Sequence, residues 1–203
     1  MTQTKQHEQD VDVWVGKRFP LTIRRLGVNG HGIGYYKHKV CFVPGALPNE
    51  VVVAEVTRVL PRYLEAKIHR IRKKSRDRVT PRDEYADIAG GFELENLAYQ
   101  QQLKFKRQVI IDSLEKFQPY GYRNYDVRPT IAAPEEYGYR NKAQFQVRMV
   151  NGRVAAGLYQ PNSHTLVDME TCAVQMPRTM ETVRAVTKMI EDLQIPVYDE
   201  KHN

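Results

Sequence analysis

Cysteine is scarce in this chain: Cys41 and Cys172 are the only two among 203 residues. That excludes a disulfide-stapled secreted scaffold and points to a reducing, cytoplasmic setting. Long apolar runs are missing too. No stretch of about 18 apolar residues occurs, which excludes a transmembrane helix. The opening MTQTKQHEQD has no apolar h-region and reads as a disordered leader over residues 1–10 rather than a signal peptide. A phosphate-cradling loop is also absent. The glycine-rich run LGVNGHGIG (Gly27, Gly30, Gly32, Gly34) lacks the Gly-Lys-Ser/Thr ending and the following helix, so a sheet corner or bulge is its expected use.

Acidic residues are thin in the first third. Residues 11–80 hold 15 Lys+Arg against 5 Asp+Glu, a net of +10, while residues 81–203 hold 15 against 17, a net of −2. Positive charge concentrated on one domain points to a polyanionic partner, with a solubility charge on a solvated face as the plainer alternative. Within this region Phe19, Leu21 and Ile23 alternate with polar neighbours. Tyr36–Pro44, Val51–Val59 and Tyr63–Ile71 read as further strands separated by turns. Four or five short strands in so little chain predict a closed, five-stranded barrel of OB type, a scaffold that binds single-stranded nucleic acid on a basic, aromatic-bearing face. Arg24, Arg25, Tyr35, Tyr36, Lys37 and Lys39 cluster around the glycine run and suit that use, with rim packing the alternative for the tyrosines. Lys73 and Arg76 belong to a basic exit, Arg72–Arg78, that either contacts phosphates or forms a solvated linker.

From about residue 81 the pattern changes. Leu103, Ile110, Leu114 and Phe117 predict one face of a helix over Leu94–Phe117, stopped by Pro119 and Gly121. Tyr137–Val150 alternates, Asn151-Gly152 follows as a hairpin turn, and Val154, Ala156 and Leu158 form the return strand. A third strand is expected at Thr165–Asp168 and an amphipathic helix at Pro177–Leu193. The second domain, residues 81–203, is therefore an α+β unit with an antiparallel sheet. Arg140, Asn141 and Lys142 open the first hairpin strand. They read either as a charged edge that blocks strand addition or as contacts to phosphates and base edges. His164 reads as a structural histidine, and Cys41 as a small core residue.

Several motifs now converge. Gly30–Gly34, Val40-Cys41-Phe42-Val43-Pro44-Gly45-Ala46-Leu47-Pro48-Asn49-Glu50, Ser75 and Arg78-Val79-Thr80-Pro81 together resemble a TRAM domain, the RNA-binding OB-type module of RNA-modifying enzymes. YRNKAQF, GLYQPNSHTLVD and Cys172-Ala173-Val174-Gln175 resemble the central domain of bacterial 23S rRNA (uracil-5-)-methyltransferases. The resemblance implies ribosomal RNA as partner and a monomer, with neither DNA nor membrane involved. It also implies that Arg140, Asn141 and Lys142 touch RNA. In that family a further, Rossmann-like domain binds S-adenosyl-L-methionine and supplies the catalytic cysteine and base. The sequence shows no strand–Gly-rich turn–helix unit for it, and no catalytic residue is assigned. The chain ends near the point where the family continues into that domain. It is thus expected to be the RNA-recognition portion of such an enzyme, inactive alone and without a cofactor of its own. A stand-alone TRAM-type RNA-binding adaptor, or part of a tRNA uracil-5 methyltransferase, is the alternative.

The family resemblance also gives residues 81–97 a meaning. Many members hold an iron–sulfur cluster there with three cysteines, joined by a fourth further on. In this sequence the matching positions are Asp83, Ala89, Phe92 and Cys172, so only one ligand remains and no cluster is expected. The loop is expected to work by packing alone.

Overall fold

The computed structural model describes residues 12–198; the leader expected at residues 1–10 lies outside them. The fold divides into two units, the first ending at Arg78 and the second beginning at Val79.

The first unit is a sheet of six strands, β1 (Arg18–Thr22), β2 (Arg25–Leu26), β3 (Gly32–Tyr36), β4 (Lys39–Val43), β5 (Val51–Val59) and β6 (Tyr63–Lys73), in the order β1-β5-β6-β4-β3-β2. All ladders are antiparallel except β4 with β6. This corrects the expected closed barrel of five strands. The sheet is open in its pairing, and its end strands β1 and β2 do not pair with each other. They are instead consecutive stretches of one run of chain, bent at Ile23-Arg24. Ile23 N donates to Glu50 O at the β5 side (2.9 Å), and Arg24 N donates to Ile33 O at the β3 side (2.8 Å). The sheet curls until β1 lies against β3. Gly34 permits this approach, because a Cβ there would stand 2.7 Å from both Leu21 Cγ and Thr22 O. Inside the curl Phe19, Leu21, Ile23, Cys41, Val43, Val52, Val56 and Leu64 form a dry core. Burial pushes the Cys41 thiol up to about 12, in keeping with an inert core residue.

One charge is fully buried here. Glu50 is 0% exposed. Its Oε1 accepts from Arg78 Nε (2.6 Å) and Ser75 N (3.2 Å), and its Oε2 accepts from Arg78 Nη2 (2.8 Å) and Leu47 N (2.9 Å). Arg78 Nη2 also donates to Gly45 O (2.6 Å). The β4–β5 turn and the exit from β6 are fastened together by this fork.

The second unit contains helix α1 (Tyr99–Phe117), a short 3-10 turn at Tyr122–Asn124, strands β7 (Gln146–Val150), β8 (Arg153–Tyr159) and β9 (Leu166–Asp168), and helix α2 (Pro177–Asp192). The three strands form one antiparallel sheet, β7-β8-β9. The Asn151-Gly152 hairpin is present, with φ of 51° and 81° as a type I′ turn requires. The first hairpin strand is shorter than its alternation suggested. Gly138 N and Arg140 N donate to Ala173 O and Val174 O, both at 2.9 Å, which draws residues 138–140 onto the segment 173–176 instead of the sheet. Helix α1 likewise begins at Tyr99 rather than Leu94. The Gln102 side-chain amide donates to Leu94 O (3.1 Å) and Leu97 O (2.8 Å), holding the preceding residues in turns. Among the described residues no helix is long and apolar enough to cross a membrane.

Candidate nucleic-acid interface

The basic residues of the first unit are set out by the strand register. Lys37 and His38 form the two-residue turn of the β3–β4 hairpin, with φ of 43° and 71°. Lys39 follows at the start of β4. The parallel ladder puts Val40 opposite Tyr63, which brings Arg62 alongside Lys39. Arg24 and Arg25 lie at the bend between β1 and β2. Thr22 is opposite Val51, and Val51 opposite Lys73. Lys73 is therefore only two interstrand spacings, about 10 Å, from the strand that leads into Arg24. The sequence-predicted cations thus separate into two groups. Arg24, Arg25, Lys73 and Arg76 gather near the bend and the exit from β6, while Lys37 and Lys39 sit at the hairpin tip. Arg62 was not singled out from the sequence; only the β4–β6 pairing, which periodicity does not encode, places it in the tip group.

Their charges are not neutralised by neighbours. Four of the unit's five acids are taken up elsewhere: Glu55 by Arg18 (2.6 Å) and Lys67 (3.0 Å), Glu50 by Arg78, Glu65 by Arg58 (3.9 Å), and Asp12 by Lys17 (3.3 Å); the fifth, Asp77, follows Arg76 in sequence. Arg24, Arg25, Lys37, Lys73 and Arg76 are exposed and have no ion-pair partner among the described residues. Tyr36 has another occupation. Its ring stacks on Phe19 with centroids 3.8 Å apart, so one face is committed to the core rim. Tyr35 is the exposed tyrosine of the pair.

In the second unit Arg140, Asn141 and Lys142 are exposed, but they do not open a strand. They leave the 138–140 segment, which is pinned further by Met176 N donating to Arg140 O (2.8 Å) and by Gln175 Nε2 donating to Lys142 O (3.2 Å). The backbone there is braced from both sides while the three side chains reach solvent. His164 stacks on Tyr159 with ring centroids 5.6 Å apart.

The four positions matched to a cluster do come together. Ala89 and Cys172 share one buried cluster with Phe92 packed against it. Asp83 Oδ2 accepts from Ala173 N (2.7 Å), and Asp83 Oδ1 accepts from Tyr85 N (2.9 Å). Burial raises the Cys172 thiol above its ordinary value. One thiol, one carboxylate, a methyl and a benzyl group do not fit the sulfur ligation of an iron–sulfur cluster. A cleft of about 940 Å³ borders this region, lined by Arg82, Asp83, Tyr137, Cys172, Gln175 and Arg184 among others. The one parallel ladder among the described residues, β4 with β6, is connected through β5 rather than through a helix.

Known proteins resemble the chain in both sequence and fold. Residues 12–69 match the TRAM domain. Over 201 residues the chain is 63% identical to a protein of Lactiplantibacillus plantarum named "Uncharacterized RNA methyltransferase", covering 99% of this chain and 42% of that protein. It is 45% identical to a protein of the same name from Enterococcus faecalis, over 93% of this chain and 41% of that one. Over almost its whole length the chain is similar to these proteins named as RNA methyltransferases. It spans about two-fifths of the length of these relatives. In fold, the chain is similar to the Pyrococcus abyssi tRNA (uracil-54, C5)-methyltransferase solved in complex with S-adenosyl-L-homocysteine. The TM-score is 0.56 at 22% identity, covering 89% of this chain and 39% of that one.

Proposed function

We propose that this chain is the RNA-gripping portion of an S-adenosylmethionine-dependent uracil-5 methyltransferase acting on 23S ribosomal RNA. The observation that carries it is the group of unneutralised cations, Arg24, Arg25, Lys73 and Arg76, drawn together at the bend of the TRAM sheet. Phosphates would be held there by charge, which fixes register on the RNA without reading sequence. Arg140, Asn141 and Lys142 add a second grip from a braced backbone, with Asn141 offering an amide to a base edge. Together they would hold folded RNA while one uridine is turned out of its stack for chemistry at carbon 5. The methyl-transfer step belongs, on this reading, to the part of the relatives outside the matched segment. A tRNA substrate is the second reading, favoured by the substrate in the name of the Pyrococcus abyssi fold neighbour.

Fluorescence anisotropy with 23S rRNA fragments and with tRNA transcripts tests the proposal. Binding is expected to weaken steeply with salt. The double charge reversal Arg24→Glu/Lys73→Glu should reduce the log–log salt slope by roughly one for each phosphate no longer held. Tighter binding to tRNA than to any rRNA fragment would favour the second reading. No binding of either RNA at low salt, or a salt slope unmoved by the double reversal, would overturn both.

A further inference from the structure

Among the described residues, the apolar face of α1 is only partly covered. None of its 19 residues is buried, and of the four that align on one side Leu103 and Leu114 are half-buried while Ile110 and Phe117 are exposed. Helix α2, by comparison, packs on β8 and buries Met180. What dresses α1 is the segment that returns beside it. Arg107 Nε donates to Val127 O (2.9 Å), Thr130 Oγ1 to Leu103 O (2.9 Å), and Ala133 N to Tyr99 Oη (2.8 Å). That strap leaves Phe117 72% and Ile131 92% exposed, with Tyr120 wholly in solvent. Exposed apolar surface gathered on one helix and its return segment is the mark of an interaction site. An amphipathic helix of this length draws most of its stability from a packed face.

We propose that this face is a protein-docking surface, and that its occupant is the polypeptide the longer relatives carry beyond the matched segment. The lengths point to it: the matched segment is 42% of the Lactiplantibacillus plantarum relative, so more than half of that protein is available to cover the helix. The chemistry points the same way. Leucine, isoleucine and phenylalanine in a helical stripe suit another apolar protein face, whereas the RNA-facing groups of this chain are cations on other elements. The proposal is independent of which RNA is bound.

Thiol labelling tests it, because Cys41 and Cys172 are both buried and give little background. Ile110→Cys and Phe117→Cys, with Asp112→Cys on the opposite face as control, are made in this chain and at the aligned positions of the full-length Lactiplantibacillus plantarum relative. Labelling is read peptide by peptide by mass spectrometry, after circular dichroism has confirmed folding. Both stripe positions should label freely in this chain and roughly tenfold or more slowly in the full-length relative, with the control equal in both. Equal labelling of the stripe in the two proteins would overturn the proposal. So would protection in this chain alone that disappears on dilution, which would mean a second copy covers the face. Protection of the full-length relative only when RNA is added would assign the face to RNA and also overturn it.

Discussion

Removing the carboxylate of Glu50 should come close to unfolding the first unit. The residue is 0% exposed and accepts four hydrogen bonds, two from Arg78 and one each from the backbones of Leu47 and Ser75. Glu50→Ala leaves the Arg78 guanidinium, itself only 17% exposed, beside two orphaned backbone donors. Breaking a buried pair from one side costs about 3–5 kcal/mol. For a domain of this size each kcal/mol is worth about 4–8 °C in melting temperature. The loss therefore amounts to roughly 12–40 °C, a large share of the ~5–15 kcal/mol that holds an ordinary domain together. The assay is urea unfolding followed by the fluorescence of Trp14, the single tryptophan of the chain, which reports on the first unit alone. A destabilisation below ~1 kcal/mol, the scale of an exposed ion pair, would refute the reasoning.

Glu50 also sets an acid limit. Burial pushes its carboxyl up, but the Arg78 side-chain bond, the Leu47 and Ser75 backbone donors and the Arg78 charge outweigh that. The net effect holds it below the ordinary 4.5. A depressed carboxylate binds fewer protons folded than unfolded. Its stabilisation is therefore complete above the ordinary value and lost as pH falls through the folded one. Glu50→Gln, less stable at neutral pH, should show a flatter pH profile below about pH 5.

Two further outcomes concern the second unit. Asp83→Ala should lower its stability by about 1–3 kcal/mol, since it strands the half-buried backbone N–H groups of Tyr85 and Ala173; circular dichroism melts would show this, with Trp14 fluorescence of the first unit unchanged. Gly157→Ala should unseat β9 from β8, because a Cβ there would meet Val167 O at 1.9 Å; loss of amide protection in Leu166–Asp168 is the readout.

Much of the fold was legible where neighbours decide it locally. The β-branched run of β5, the Asn151-Gly152 turn and the stripe of α2 all depend on residues close in sequence. What escaped depends on partners far along the chain. The open curl of the first sheet turns on Ile23-Arg24, where the chain passes from hydrogen-bonding β5 to hydrogen-bonding β3. The loss of alternation at Arg24-Arg25 is its only local trace. The shortening of β7 was hidden because Ala173 and Val174 lie more than thirty residues from the groups they bind. Among site residues, Lys37 and Lys73 were visible as charges, but their separation into two groups required the β5–β6 and β4–β6 registers. The role of Glu50 was veiled for a similar reason. Its partner Arg78 sits 28 positions away, in what the sequence presents as one more cation of a basic exit.

The loop at residues 81–97 is tied to the segment that carries Cys172 by Asp83. Its carboxylate receives Ala173 N across 90 positions, while its own N–H donates to Glu95 Oε1 (3.0 Å). The space beside it is filled by the methyl of Ala89 and the ring of Phe92 around a buried Cys172. Charge-assisted hydrogen bonds and apolar packing thus hold the loop at residues 81–97 to the segment at residues 172–175 within the second unit.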